Sequence, residues 1–136
     1  MSRSFKLDIL AADKYFFSGD CEEIIFPSID GSMGVLGGHE PMICCLSEGE
    51  IQFRCDGEWR RAIVSQGFLE VMPNFVKVFA DSVERPEDID LLRAQAAKER
   101  AEERLRQKLS TKQYIHTQAA LKRAMARIKV AGKTYN

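Results

Sequence analysis

The 136 residues predict a two-part fold: a flattened β-sandwich or barrel over residues 1–85, followed by an antiparallel two-helix hairpin over residues 86–136. Three observations carry this reading. Near Pro86 the apolar period lengthens from two to between three and four, the change expected where strands give way to helices. Turn residues punctuate the first part closely and are nearly absent from the second. Charge divides at the same place: residues 1–85 hold 8 Lys and Arg against 14 Asp and Glu, and residues 86–136 hold 12 against 6. An acidic first part is thus joined to a basic tail, although the whole chain is formally neutral. Such a split says little about fold but a good deal about what each part attracts.

The strand expectations come in order from short runs rich in β-branched and aromatic residues. These are Phe5 to Leu10, Cys21 to Phe26, Ile51 to Cys55, Trp59 to Val64, Phe68 to Met72 and Phe75 to Ala80. Between the third and fourth stands Asp56-Gly57, a hairpin turn signal because Gly accepts positive φ without steric cost. Pro73-Asn74 reads as a second tight turn. Many short strands at this spacing suggest two sheets sharing one core.

After Pro86 the acidic Glu87, Asp88 and Asp90 stand where a helix dipole favours negative charge, and Ala94, Ala97, Ala101, Leu105 and Leu109 repeat at helical spacing. A first helix is predicted from about 88 to 108. Ser110-Thr111 interrupts it. A second stripe runs through Tyr114, Thr117, Leu121, Met125 and Ile128 and ends at Gly132, a glycine placed as a C-cap. Facing stripes made largely of alanine approach closely but bury little area, at about 0.8 kcal/mol per methyl-sized group. With strong intrinsic helix propensity, such a hairpin can open while each helix stays helical. Composition alone favours the plainer reading, a static alanine-rich pair whose basic face is solvated.

Several function classes find no support. No apolar run approaches the roughly 18 residues of a membrane span, and the first residues lack a signal-peptide core, so the default compartment is the cytoplasm. Cys21, Cys44, Cys45 and Cys55 lack Cys-x-x-Cys spacing and read as buried, reduced thiols rather than as a disulfide framework or zinc site. The glycine-rich stretch from Asp30 to Pro41 lacks the Gly-Lys-Ser/Thr of a phosphate-binding loop and reads as turn-forming, with His39 structural. His116 stands alone. Neither metal chemistry nor nucleophilic catalysis has a constellation of residues behind it.

The basic hairpin does carry a chemical pattern. Arg93 and Arg100 lie seven apart on the first helix, and Arg123 and Arg127 lie four apart on the second, so a closed hairpin can gather four guanidinium groups. Converging guanidinium groups suit a polyphosphate, and empty they would repel one another. ATP would then favour the closed hairpin and its scarcity the open one. Against this stands a plainer reading in which each arginine is a solvated surface charge, paired with Glu99 or Glu103.

Two segments point to a family: Asp30-Gly31-Ser32-Met33-Gly34-Val35-Leu36-Gly37-Gly38-His39-Glu40-Pro41, and Ile89-Asp90-Leu91-Leu92-Arg93-Ala94. With the opening Phe5-Lys6-Leu7-Asp8-Ile9-Leu10, with Phe17-Ser18-Gly19 and with the β-to-α order, the chain resembles the epsilon subunit of bacterial F-type ATP synthases over nearly its whole length. One departure is Gly37, where that family usually has proline, which should loosen the local backbone.

The resemblance implies more than the residues alone do. Family members bind ATP through an Ile/Leu-Asp-x-x-Arg-Ala motif, matched here by Ile89, Asp90, Arg93 and Ala94. By that likeness Asp90 and nearby backbone would recognise the adenine end, with Glu84 a weaker contributor, and Arg93, Arg100, Arg123 and Arg127 would hold the phosphates. No magnesium is implied, and no catalysis by this chain. The sandwich would bind the gamma subunit and the c-ring, joining a central stalk that couples proton flow to ATP synthesis. The hairpin would extend along gamma into the head of alpha and beta subunits and inhibit ATP hydrolysis. Lys122, Lys129 and Lys133 are then candidates to meet an acidic segment of beta. The expected location is the cytoplasmic face of the bacterial plasma membrane, with membrane contact only through the complex. Two rivals are a free-standing ATP-sensing module and a nucleic-acid binder using the basic helices; the acidic first part argues against the second.

Overall fold

The computed structural model describes residues 3–12 and 14–133, with side chains described as far as Ala131. Ten strands come first: β1 (Phe5–Ala11), β2 (Lys14–Cys21), β3 (Glu23–Ser28), β4 (Gly31–Leu36), β5 (Met42–Leu46), β6 (Gly49–Cys55), β7 (Glu58–Val64), β8 (Gly67–Val71), β9 (Phe75–Ala80) and β10 (Val83–Glu84). A 3-10 turn, Pro86–Asp88, leads to α1 (Leu91–Leu105) and α2 (Thr111–Lys133). The strands form two five-stranded sheets, ordered β2-β1-β9-β8-β5 and β10-β7-β6-β3-β4. The pairing is antiparallel except where β1 runs parallel to β9.

Alternation along the strands makes the core. On β6, Gly49, Ile51, Phe53 and Cys55 are buried while Glu50, Gln52 and Arg54 face the other way. The inward residues Leu7, Ile9, Leu69, Val71, Val76 and Val78 of one sheet join Ile24, Phe26, Ile51, Phe53, Ala62 and Val64 of the other in one apolar cluster. Asp56 (φ 53°) and Gly57 (φ 78°) form the turn between β6 and β7, both in the left-handed region that a two-residue hairpin with the strands' natural twist requires. Pro73 and Asn74 close the β8–β9 hairpin, with Met72 N donating to Phe75 O at 2.9 Å.

The strand count exceeds the six runs expected. The run from Cys21 to Phe26 spans the end of β2 and most of β3, and β4 and β5 arise from the glycine-rich segment and from Met42–Leu46. Pairing with β3 and β8 supplies what local propensity lacks. Gly37 is not simply a loosened position: a Cβ built there would lie 2.7 Å from the Arg3 carbonyl oxygen, so the two backbones need glycine's close approach.

Both helices differ from expectation at their ends. α1 begins three residues late because Glu87 and Asp88 belong to the 3-10 turn and Asp90 is the N-cap, its Oδ1 accepting from Arg93 N at 3.1 Å. It stops at Leu105. α2 continues through Gly132 to Lys133, so Gly132 is helical and not a C-cap. Along α2 the buried positions are Thr117, Ala124, Val130 and Ala131, whereas Tyr114 and Met125 of the expected stripe are about half exposed. Small and β-branched positions face inward where elements approach closely, and Tyr114 and Met125 sit at the margin.

α1 and α2 pack on each other, and α2 also lies across β6 and β7. Its cover explains Ile63, which points away from the sandwich core yet is 2% exposed. No described helix is long and apolar enough to cross a membrane.

Candidate functional site

The site grows from the segment that leaves the sandwich. β10 pairs with the end of β7, Val83 opposite Val64 and Glu84 opposite Ile63, which fixes the Glu84 carboxylate beside α2. Pro86–Asp88 turns the chain, and Ile89 is extended (φ −82°, ψ 124°) before Asp90 caps α1. Arg93 and Arg100, two turns apart, then share one helix face. Arg127 enters from α2. Together Glu84, Asp88, Asp90, Arg93, Ala94, Ala97, Arg100 and Arg127 line a cleft of about 440 Å³, within the roughly 300–1,000 Å³ usual for small-molecule sites.

The guanidinium groups are not left to repel one another, contrary to the expectation for an empty hairpin. Arg127 donates to Glu84 Oε1 from Nε at 2.8 Å and also from Nη2, and Asp88 and Asp90 line the same cleft. Three carboxylates therefore face three arginines. Ala94, 3% exposed, and Ala97 leave space between them that a larger side chain would fill. Such a cleft can take a polyanion if its phosphates replace carboxylates as partners of the arginines. Arg93 and Arg100 are exposed, as the plainer reading has them, although Glu103 pairs with Arg106, at 2.9 Å, and not with an arginine of the cleft.

Of the residues singled out in the sequence, Glu84, Asp90, Arg93, Ala94, Arg100 and Arg127 come together here. Ile89 is half-buried beside the cleft without lining it. Arg123 is directed elsewhere: its Nη1 donates to both oxygens of Glu48, at 2.8 and 2.7 Å. Lys122 is exposed beside a groove between α2 and the sandwich. Lys129 Nζ lies 3.9 Å from Glu50 Oε1. The side chain of Lys133 lies outside the described residues.

Asp88 and Ala97 entered the sequence reading only as a dipole partner and a packing residue; both line the cleft. Glu48 and Glu50 were not anticipated at all, because their α2 partners lie more than seventy residues further along.

His39 is half-buried, with Nδ1 2.8 Å from the Glu40 carbonyl oxygen, and His116 is exposed on α2. Among the described residues no group of three or more His, Cys, Asp or Glu is placed to hold a metal ion. The cysteines are free thiols, but not all are buried: Cys21 and Cys55 are, Cys44 is half-buried and Cys45 exposed. Alternation along β5 turns neighbouring Cys44 and Cys45 to opposite faces. Burial, with a hydrogen bond to Cys55, pushes the Cys21 thiol far up, and burial pushes Cys44 up as well.

Known proteins match both parts of the chain. Residues 4–86 match the beta-sandwich domain of the ATP synthase Delta/Epsilon chain, and residues 87–132 match its long alpha-helix domain. The ATP synthase epsilon chain of Ruminiclostridium cellulolyticum is 45% identical over 130 residues, covering 96% of this chain and 97% of that one. That of Caldanaerobacter subterraneus subsp. tengcongensis is 46% identical over 134 residues, covering 98% and 97%. In fold, the chain resembles one in the Euglena gracilis mitochondrial ATP synthase (OSCP/F1/c-ring), with a TM-score of 0.81 at 23% identity, over 90% of this chain and 78% of that one. A sandwich followed by a helical hairpin, matched end to end by such relatives, places the chain in the Delta/Epsilon family of ATP synthase subunits, among its epsilon chains.

Proposed function

We propose that this chain is a non-catalytic central-stalk subunit of a proton-translocating F-type ATP synthase, and that its hairpin inhibits ATP hydrolysis when extended and is held closed by ATP. The sandwich binds the gamma subunit and the c-ring at the cytoplasmic face of the bacterial plasma membrane. The extended hairpin reaches the alpha and beta subunits, where Lys122, Lys129 and Lys133 meet acidic residues. Support for the stalk assignment comes from the epsilon-chain relatives and from the likeness to a chain of a Tetrahymena thermophila central stalk and c-ring structure, with a TM-score of 0.63.

The single observation that carries the nucleotide reading is the cleft between α1, α2 and β10. Arg93, Arg100 and Arg127 supply the positive charge a triphosphate needs, and no metal is required for that. Asp90, together with the backbone around Ile89 and Ala94, contacts the adenine end. Glu84 holds Arg127 until phosphate replaces it. Because the cleft takes walls from both helices, it exists only when the hairpin is closed, so ATP and closure favour each other. At a hundred times its dissociation constant ATP would stabilise the closed form by about 2.7 kcal/mol.

The test is the thermal unfolding midpoint of the full chain with and without millimolar ATP, in EDTA. The wild type should show an ATP-dependent rise that Arg93→Ala with Arg100→Ala removes. An unshifted wild type would mean that the hairpin acts through protein contacts alone.

A further inference from the structure

The cleft needs α2 at a fixed height and rotation, and the feature that fixes both lies outside it. Glu48 stands just before β6 with its side chain 7% exposed, and it takes both of its hydrogen bonds from Arg123, 75 residues away. Two residues on, Glu50 is 8% exposed and turned to the same outer face of the sheet. Its Oε1 accepts from Gln52 at 3.0 Å and faces Lys129 at 3.9 Å. Among the described residues its Oε2 makes no hydrogen bond, and Arg61 at 3.5 Å is its charge partner. Two carboxylates at the start of β6, Glu48 and Glu50, thus face the basic side of α2.

We infer that Glu48 is a positioning residue for the nucleotide cleft, holding α2 through Arg123 so that Arg127 is presented to Glu84 and to the arginines of α1. This rests on the proposed ATP-closed hairpin and assigns its nucleotide-free closure to a carboxylate on the sandwich. Arg123 and Arg127 are four residues apart and therefore on one face of α2. The first pairs at the start of β6 and the second on β10, so two points of one helix are fixed against two strands with β7 between them. Two fixed points set both rotation and translation; Arg127 with Glu84 alone would set neither. Glu48 lies where Ala119 and Lys122 of α2 meet the sandwich, so opening the hairpin would return it to water and the contact is reversible.

The inference separates from the direct role in phosphate binding that Arg123 was expected to have, because the two predict opposite effects of Glu48→Gln. If Glu48 positions the helix, its loss lowers the closed population and weakens apparent ATP affinity in proportion. If Arg123 is a phosphate ligand restrained by Glu48, the same change frees it and tightens binding.

The experiment uses the full chain with spin labels on the exposed Cys45 and on Gln107→Cys, in a Cys44→Ser background, read as a distance distribution without nucleotide. Glu48→Gln should lower the closed-to-open ratio about three- to tenfold, and the charge exchange Glu48→Arg with Arg123→Glu should restore it. The apparent ATP dissociation constant should rise by the factor by which the closed fraction falls. Ala124→Trp, which forces bulk into a fully buried position on α2, serves as an opening control. If Ala124→Trp opens the hairpin and Glu48→Gln does not, the positioning role is refuted and the mobile hairpin stands. Should neither variant lengthen the distance, the mobile hairpin fails and the inference with it. Tighter ATP binding in Glu48→Gln would overturn the inference in favour of Arg123 as a phosphate ligand.

Discussion

Arg127 of α2 sends two N–H groups to a single oxygen of Glu84, forty-three residues earlier in the chain, and so ties the last helix to the last strand. A guanidinium can do this because its donors lie in a fixed planar fork, whereas an ammonium is a point charge on a flexible stem. Arg127→Lys should therefore keep the charge of the cleft and lose its geometry. The expected result is ATP affinity weakened about tenfold, equivalent to about 1.4 kcal/mol, measured by calorimetric titration in EDTA. Affinity equal to wild type would mean that charge alone matters at this position.

Truncation after Val83 removes the hairpin and leaves the sandwich core whole, since every buried member of that core lies between Phe5 and Ala80. The fragment should fold with an intact β-sheet circular dichroism signal, although Ile63, Glu48 and Glu50 become exposed. In a reconstituted ATP synthase it should assemble into the stalk and fail to inhibit hydrolysis. Full inhibition by the truncated subunit would place the inhibitory element in the sandwich.

The parts of this structure visible in the sequence are those governed by near neighbours. Asp56-Gly57 announces its turn because two consecutive residues must take positive φ, and Arg93 and Arg100 share a face by helical period alone. The glycine-rich segment reads as loop since β4 owes its existence to pairing with β3, which no local pattern encodes. The same holds within the site. The motif at Ile89 to Ala94 is contiguous and readable, but whether Arg123 turns to the cleft or to Glu48 depends on how α2 crosses β6, a tertiary choice.

Asp90 serves two purposes that substitution can separate. Its Oδ1 accepts from Arg93 N and starts α1, and its carboxylate also lines the cleft. Asparagine caps helices about as well as aspartate, while alanine costs about 1 kcal/mol. Asp90→Asn should keep wild-type stability and hydrogen-exchange protection across the first turn of α1, and Asp90→Ala should lose both. ATP affinity should fall in both variants if the negative charge contacts the ligand. An Asn variant that binds normally would reduce Asp90 to a cap.

The cysteines predict how stability changes at high pH. Cys21 is fully buried, and burial together with its hydrogen bond to Cys55 holds the folded thiol far above the usual range. In the unfolded chain it ionises near pH 8.5. Below that value both states keep the proton, and the thiol contributes no pH dependence. Above it the unfolded state releases a proton that the folded state retains, so stability falls by about 1.4 kcal/mol per pH unit for each such thiol. Denaturant unfolding between pH 8 and 10 should show this slope, and Cys21→Ala should reduce it by one proton's worth although the variant starts less stable. Over the same interval a charged thiol reagent should label exposed Cys45 first and Cys21 only on unfolding. Labelling of native Cys21 at the rate of Cys45 would show that the sandwich opens locally around β2, contrary to a core closed on both faces.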